Sequence, residues 1–270
     1  MIKNTFNLTD VHALIIDMDG VLWLDNTPLP GLVPFFDFLY SRDIPFILAT
    51  NNASKTPQQY IQKLAKFGVT IEREHVLTSS LATAAFLQRE LKAGTTAYAV
   101  GQEGLHEAMQ EAGFVLLADA GRPAEVVVAG VDFTLTYDKL KYATLHIQRG
   151  ARFVGTNGDV TFPAEEGALP GAGSILAALQ AATGVVPIIV GKPERLMFDI
   201  AVEKMGSDPA HTAMLGDRLE TDILGGQRAG LKTILVTTGI DNEATMAAKG
   251  IYPDAIFSGI EALVTQWAKS

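Results

Sequence analysis

Short apolar runs that stop abruptly at polar or charged residues recur along the chain, and segments with helical apolar spacing separate them. The first runs predict strands at 12–17 and 44–50, with a helix at 32–41 between them. Strands that alternate with helices are typical of a parallel sheet covered by helices on both faces. The pattern therefore predicts an α/β fold with a Rossmann-like, doubly wound parallel sheet.

The middle of the chain repeats this alternation, and the last part returns to long buried strands. Strands are predicted at 96–100, 125–131, 152–156, 186–190, 212–215, 233–237 and 255–257. The segment 157–170 is rich in Gly and Pro and predicts a loop.

Polar clusters follow four of the predicted strands, and ligands of such folds bind beyond the carboxyl ends of the strands. The clusters contain Asp17 and Asp19, Thr50 and Asn51, Lys192, and Asp217 with Asp222. None of them lies in the middle segment. We therefore expect a discontinuous catalytic core of residues 1–81 and 185–270, with residues 82–184 inserted as a cap domain.

Composition narrows the classes of partner. The 270 residues carry a net charge of -9, whereas nucleic-acid binding needs a basic face, so no nucleic-acid partner is expected. No apolar run has the length of a membrane span, and the N-terminal residues lack the apolar region of a signal peptide, so we expect a cytoplasmic protein without a membrane partner. The absence of cysteine excludes disulfides and thiolate chemistry.

Two carboxylates stand two residues apart at the end of the first strand, Asp17 and Asp19, and Gly20 follows them. A hard cation such as Mg²⁺ prefers oxygen ligands, and it would relieve the repulsion between a carboxylate and a phosphate monoester. A solvated acidic turn is the alternative for this pair alone. A calcium loop would need its Gly at the sixth position, whereas Gly20 is the fourth residue from Asp17.

The other clusters suit a phosphate group, although each has an ordinary structural alternative. Thr50, Asn51 and Asn52 offer a hydroxyl, amides and backbone N–H groups, or simply form a polar turn. Lys192 supplies a positive charge without a Walker A motif around it. Asp217 and Asp222 add carboxylates, and Asp222 is expected in the first turn of the next helix, where the helix dipole alone would favour an acid.

The order of these motifs resembles the haloacid dehalogenase superfamily, and within it the NagD-like and 4-nitrophenylphosphatase-like branch with a type II α/β cap. The stretches that carry the resemblance are DMDGVLWLDNTPLPG from Asp17, TNNASKTPQQYIQKLAKFG from Thr50, GKPERLMFDIAVEKM from Gly191 and LGDRLETDILGGQRAGLKTILVTTG from Leu215. The resemblance implies a phosphatase that acts on small-molecule phosphate esters.

The resemblance also implies a role for each core residue. Asp17 attacks phosphorus to form an aspartyl-phosphate, and Asp19 protonates the leaving oxygen and later activates water. The Asp17 and Asp217 carboxylates and the Asp19 backbone carbonyl would hold Mg²⁺. The remaining residues are expected to bind the phosphoryl group or, for Asp222, to support Lys192 or the metal's waters; the phosphoryl-binding set is Thr50, Asn51, Asn52 and Lys192.

The resemblance implies that the cap contacts the substrate and that the chain forms a homodimer through it. Residues 154–173 are the candidate cap loop, with Asn157 and Asp159 as its substrate contacts. Asp132 and Tyr137 are weaker candidates. A plain surface loop explains any one of these residues equally well.

Two alternatives stay open within the same fold. A phosphotransferase or phosphomutase would use the same residues and would protect its phospho-enzyme from water. A non-catalytic phosphate-binding protein, such as a receiver-like module, would also place acids, a Thr and a Lys at strand ends, but receivers are about half this length. Dehalogenase chemistry is disfavoured, since it needs no acid at Asp19.

Overall fold

The structure is a computed structural model that describes residues 6–164 and 166–270. The described residues pack into two compact units. The first unit contains the described residues up to Ala49 together with Tyr60–Leu77 and Lys192–Ser270, and the second contains Thr50–Gln59 and Thr78–Gly191. The division into a core of 1–81 and 185–270 and a cap of 82–184 stays a prediction.

The described strands, in chain order, are β1 Ala13–Ile16, β2 Trp23–Leu24, β3 Thr27–Pro28, β4 Phe46–Thr50, β5 Val76–Thr78, β6 Thr96–Val100, β7 Val115–Leu116, β8 Val126–Ala129, β9 Arg152–Gly155, β10 Thr161–Ala164, β11 Gly167–Pro170, β12 Ile188–Ile189, β13 Thr212–Gly216, β14 Lys232–Val236 and β15 Ala255–Phe257.

The described α-helices are α1 Leu32–Ser41, α2 Pro57–Lys66, α3 Ser79–Gln88, α4 Glu103–Glu111, α5 Tyr137–Gln148, α6 Ala172–Thr183, α7 Arg195–Met205, α8 Leu224–Ala229, α9 Glu243–Lys249 and α10 Ile260–Trp267.

The main sheet of the first unit has six strands in the order β15-β14-β13-β1-β4-β5. β1 lies parallel between β13 and β4, and β14 and β15 continue in parallel beyond β13. Every residue of β1, β4 and β13 is buried, as expected for strands covered on both faces. Numbered along the chain, the strand order is 3-2-1-4-5-6, which is the Rossmann order, and its topological switch point lies between β1 and β13.

The second unit has a five-stranded sheet in the order β12-β9-β8-β6-β7, and its neighbours run parallel. Its apolar core joins β6, β8 and β9 to helices α5 and α6. The two parallel sheets confirm the predicted α/β class. None of the helices in residues 6–164 and 166–270 combines the length and apolar character needed to cross a membrane.

Two segments differ from the sequence prediction. The predicted loop at 157–170 contains an antiparallel hairpin, in which Thr161 lies opposite Pro170. The predicted long buried strand at 186–190 was wrong, because only Ile188 and Ile189 form a strand and Val186 is 70% exposed. These two residues pair with Val154 and Gly155 at an edge of the second unit's sheet.

Candidate active site

The switch point of the first unit places Asp17 and Asp217 beside each other. Ile16 is the last residue of β1 and pairs with Leu215 of β13, so the residues that follow each strand leave the sheet at the same edge. The backbone N–H of Asp17 donates to the carbonyl of Leu215 at 2.8 Å, which extends the ladder by one step. The crevice at such a point is where ligands of this fold bind.

Lys192 is buried between two of the site's carboxylates. Its Nζ lies 2.8 Å from Asp17 Oδ1 and 2.7 Å from Asp222 Oδ1, and it donates to the backbone carbonyl of Ala49 at 3.1 Å. Burial alone would lower the pKa of this ammonium, but the carboxylates of Asp17 and Asp222 raise it above its ordinary value. Lys192 is therefore a fixed positive charge at the end of β1.

Lys192 reaches this position from a loop and not from the end of a strand of the main sheet. The sequence analysis placed it after a buried strand, but β12 belongs to the second unit's sheet and Lys192 begins the next segment of the first unit. The prediction that Lys192 follows a core strand was therefore wrong, although its side chain contacts the carboxylate of Asp222, as expected.

Asp222 is fully buried, and each of its carboxylate oxygens accepts a hydrogen bond. Oδ1 binds Lys192, and Oδ2 accepts from the backbone N–H of Arg218 at 3.1 Å. The sequence predicted Asp222 in the first turn of the following helix, but it lies in a π-helical turn, Leu219–Ile223, that precedes α8. The wider turn brings the carboxylate back against the end of β13, where a Cβ on Gly216 would lie 2.3 Å from Asp222 Cβ.

Asp217 is held by a loop that the sequence analysis did not single out. Its Oδ2 accepts from the backbone N–H of Ile240 at 2.8 Å, and its backbone carbonyl accepts from Asp241 N at 3.0 Å. A Cβ on Gly239 would lie 1.9 Å from Asp217 Oδ2, so the loop's backbone approaches this carboxylate closely. The Gly that follows β14 was the sequence signal for this approach.

Oxygens of Asp17, Asp217 and Asp222 lie within 4.8 Å of one another. Burial, together with the charge of Asp222 and against the opposing effect of Lys192, raises the pKa of Asp17 to about 6. Burial, Asp17 and Asp222 together raise the pKa of Asp217 to about 8. Carboxylates that repel each other in a buried crevice fit a divalent cation with oxygen ligands.

Asp19 leaves the strand end in a tight turn that returns at Trp23. The two residues form an isolated β-bridge, and the indole Nε1 of Trp23 donates to Asp19 Oδ1 at 2.7 Å. Between them Gly20 adopts a φ of +83°, and a Cβ there would lie 2.4 Å from Asp217 Oδ2. The turn therefore needs glycine for its conformation and for its contact with Asp217.

In the second unit, the residues that follow β4 contact the predicted cap loop. Asn51 Nδ2 donates to Asp159 Oδ2 at 3.0 Å, and Asn157 Nδ2 donates to the Asn51 carbonyl at 2.8 Å. Thr50 Oγ1 accepts from Asn52 N at 3.1 Å, which closes the turn. The five predicted phosphate or substrate contacts of this unit thus form two hydrogen-bonded groups, one of Thr50 with Asn52 and one of Asn51 with Asn157 and Asp159.

The two weaker cap candidates lie in different surroundings. The Asp132 side chain is fully buried and accepts from Gln102, Thr134 and Lys139, so it fixes the local loop. Tyr137 is 82% exposed.

Comparison with known proteins decides the family. A haloacid dehalogenase-like hydrolase family model matches residues 14–115, and a second HAD-like hydrolase model matches residues 189–263. The chain is 37% identical over 263 residues to an acid sugar phosphatase of Staphylococcus haemolyticus, covering 97% of this chain and 99% of that protein. The chain belongs to the haloacid dehalogenase-like hydrolases.

Further members of this family resemble the chain along most of its length. A 5'-nucleotidase of Bacillus subtilis is 38% identical, covering 86% of this chain and 89% of that protein. Among solved structures, the 4-nitrophenylphosphatase of Thermotoga maritima has a TM-score of 0.90 at 35% identity, covering 96% of this chain and 98% of that one. NagD of Escherichia coli has a TM-score of 0.85 at 32% identity, covering 93% and 97%.

A magnesium-bound structure also matches the chain. The glycerol phosphate phosphatase of Mycobacterium tuberculosis, solved in complex with magnesium, has a TM-score of 0.86 at 32% identity, covering 95% of this chain and 77% of that one. The chain is therefore a phosphatase of the haloacid dehalogenase-like family, which confirms the resemblance to the NagD-like and 4-nitrophenylphosphatase-like branch.

Proposed function

We propose that this phosphatase hydrolyses small phosphate monoesters with Mg²⁺, through an aspartyl-phosphate on Asp17. The observation that carries the proposal is the position of the Asp17 carboxylate, directly after β1 at the switch point, with Lys192 at 2.8 Å and the carboxylates of Asp217 and Asp222 beside it. The relatives are named for sugar phosphates, nucleotides, nitrophenyl phosphate and glycerol phosphate, and phosphate esters are common to these names.

In the first step, an Asp17 carboxylate oxygen attacks phosphorus while the bond to the leaving oxygen breaks. Lys192 orients this carboxylate and offsets the negative charge of the phosphoryl oxygens that approach it. Asp222 does not react: it is bonded to Lys192 and to the Arg218 backbone, and so it holds the lysine.

Asp19 supplies and then removes the protons. Its carboxyl group gives a proton to the leaving oxygen, which departs as a neutral alcohol or phenol. The resulting carboxylate then takes a proton from the water that attacks the phosphoryl-aspartate. The second step releases inorganic phosphate and regenerates the Asp17 carboxylate and the Asp19 carboxylic acid.

The metal-binding residues in this proposal are Asp17 and Asp217, through their carboxylates, and Asp19, through its backbone carbonyl. A bound Mg²⁺ would neutralise charge and align the phosphoryl group with Asp17. The raised pKa of Asp17 and of Asp217 supports this assignment, because both acids crowd a buried crevice that favours a cation.

The second unit contributes the rest of the binding residues in this proposal. Thr50, Asn51 and Asn52 bind phosphoryl oxygens, and Asn157 and Asp159 contact the leaving group. The unit serves as the cap, a role that in other enzymes excludes water from the reaction. A homodimer through the cap and a cytoplasmic location remain predictions, and the molar mass in solution tests the first.

The test is release of inorganic phosphate from 4-nitrophenyl phosphate with Mg²⁺ and with EDTA, beside Asp17→Asn. The proposal predicts continuous turnover that needs the metal and disappears in the variant. A cooperative thermal unfolding transition should show that the variant is folded. A panel of sugar phosphates, nucleoside monophosphates and pyridoxal phosphate then ranks the leaving groups. Turnover by Asp17→Asn at the native rate would remove Asp17 as the nucleophile.

A further inference from the structure

The indole of Trp23 makes a direct contact with the residue proposed as the acid. Its Nε1 lies 2.7 Å from Asp19 Oδ1, a short distance for a neutral N–H donor. Trp can only donate through this atom, so the contact has one direction. Trp23 is fully buried.

The backbone of the turn fixes this contact. Gly20 N donates to the Trp23 carbonyl at 2.8 Å, and Leu22 N donates to the Met18 carbonyl at 2.8 Å. These bonds close the chain between Asp19 and Trp23, so the indole returns over the carboxylate four residues earlier. Trp23 then pairs with Pro28, and Leu24 with Thr27, in the short hairpin of β2 and β3 that continues the turn.

A cation covers the face of the same indole. Lys63 Nζ lies 4.2 Å from the Trp23 ring centroid and also donates to the backbone carbonyl of Asp25. Phe67 packs against the ring at 6.2 Å between centroids. A cation over the ring holds the indole and draws electron density from it, which makes the N–H a stronger donor.

We propose that Trp23 is a positioning residue for Asp19, the acid and base of the proposed function, on which this inference rests. The indole N–H occupies Oδ1 and fixes the plane of the carboxyl group. A donor at Oδ1 places the acidic proton on Oδ2, from which it passes to the leaving oxygen as the phosphorus–oxygen bond breaks. Trp23 itself exchanges no proton.

A comparison of substrates with different leaving groups distinguishes a positioning role of Trp23 from a purely structural one. A nitrophenolate departs without much help from an acid, whereas an alkoxide needs the proton as it leaves. Poorer placement of Asp19 should therefore slow alkyl phosphates more than 4-nitrophenyl phosphate. A loss of folded protein would instead reduce both activities in proportion.

The test compares kcat/KM of native enzyme, Trp23→Phe and Trp267→Phe with glycerol phosphate and 4-nitrophenyl phosphate. Phe keeps an apolar ring and removes the N–H; Trp267 is the buried tryptophan of α10 and serves as the matched control. We expect Trp23→Phe to lower kcat/KM by about tenfold or more with the alkyl ester and by about twofold or less with the aryl ester. A tenfold loss is only part of the effect expected from removing the general acid itself. Trp267→Phe should leave the ratio of the two activities unchanged.

Equal losses on both esters, or no loss, in a folded Trp23→Phe would overturn the positioning role. Asp19→Asn separates this failure from a failure of the proposed function. If Asp19→Asn lowers kcat/KM equally for the alkyl and the aryl ester, Asp19 is not the acid, and both proposals fall. If Trp23→Phe does not fold, benzothienylalanine at position 23 keeps the shape of the indole without its N–H, and the same ratio decides.

Discussion

Lys192 and Asp222 form a buried ion pair, with Nζ and Oδ1 2.7 Å apart and less than 5% of either side chain exposed. The same ammonium bonds Asp17 at 2.8 Å, so one lysine joins the proposed nucleophile to a carboxylate that cannot reach solvent. A buried charge without its partner is costly, and Lys192 thus serves the fold as well as the chemistry.

Replacement of Lys192 by Met should abolish activity and destabilise the protein by about 3–5 kcal/mol, because Asp222 would keep a buried charge without its counterion. Urea unfolding at neutral pH measures the stability. Lys204→Met, at an exposed lysine in the last turn of α7, is the control and should unfold like the native enzyme. The double variant Lys192→Met, Asp222→Leu should recover much of the stability but none of the activity. Native stability in Lys192→Met would contradict the ion-pair account.

The metal-free enzyme should lose stability as the pH rises. The folded pKa of Asp17 is raised from 3.8 to about 6 and that of Asp217 to about 8, so between pH 4 and 8 the folded state binds more protons than the unfolded state. Stability therefore falls through this window as the two acids ionise. Thermal unfolding in EDTA from pH 5 to 8.5 measures the effect.

Two comparisons check the cause of this pH dependence. Asp217→Asn should flatten the upper part of the profile, and Mg²⁺ should stabilise native enzyme more at pH 8 than at pH 6, because metal binding needs both acids ionised. A metal-free protein whose stability rises steadily from pH 5 to 8 would show that repulsion between these acids does not govern it.

Gly20→Ala should weaken metal binding. The new Cβ would lie 2.4 Å from Asp217 Oδ2, so the proposed ligand must move. Loss of a partner that orients a metal ligand already lowers metal affinity by about tenfold or more, and movement of the ligand itself should have at least this effect. The Mg²⁺-dependent shift in melting temperature reports the affinity without turnover. Gly206→Ala has a similar positive φ, +61°, with nothing within 4 Å of its Cβ, and controls for backbone strain alone. Equal Mg²⁺ responses in the two variants would refute the contact.

Asp159→Ala should change substrate preference more than it changes aryl phosphate hydrolysis, since its carboxylate binds the Asn51 amide and belongs to the proposed leaving-group contacts. The substrate panel gives kcat/KM for each ester relative to 4-nitrophenyl phosphate. Asp138→Ala, at a solvent-exposed carboxylate of the same unit, is the control. A uniform loss across the panel would mean that Asp159 supports the fold or the phosphoryl site and does not select the leaving group.

The sequence predicted the main sheet and the two strand ends that define the site. The short buried apolar runs at 13–16 and 213–215 end directly at Asp17 and at Gly216 with Asp217, which leaves little choice of structure. It misplaced Lys192, since the apolar run that was predicted as a strand at 186–190 does not reveal which sheet it joins. The hairpin β10–β11 was missed because Gly and Pro indicate a turn without showing the pairing around it.

Other contacts of the site depend on tertiary structure. The π-helical turn at Asp222 has no local sequence signature, and Ile240 approaches Asp217 through its backbone, which is the same in every residue. Trp23 lay within the recognised motif, yet a buried apolar residue was its ordinary interpretation. Its N–H acquires significance only from the turn that returns it to Asp19.

The central claim is the phosphoryl-aspartate on Asp17, and trapping that intermediate tests it most directly. Enzyme with Mg²⁺ is mixed with a labelled phosphate ester, quenched in acid within one turnover and reduced with borohydride, which converts an aspartyl-phosphate to homoserine. We predict that the homoserine appears in the peptide that contains Asp17 and nowhere else. Rapid turnover with that peptide unchanged, or with the label on another residue, would contradict the account.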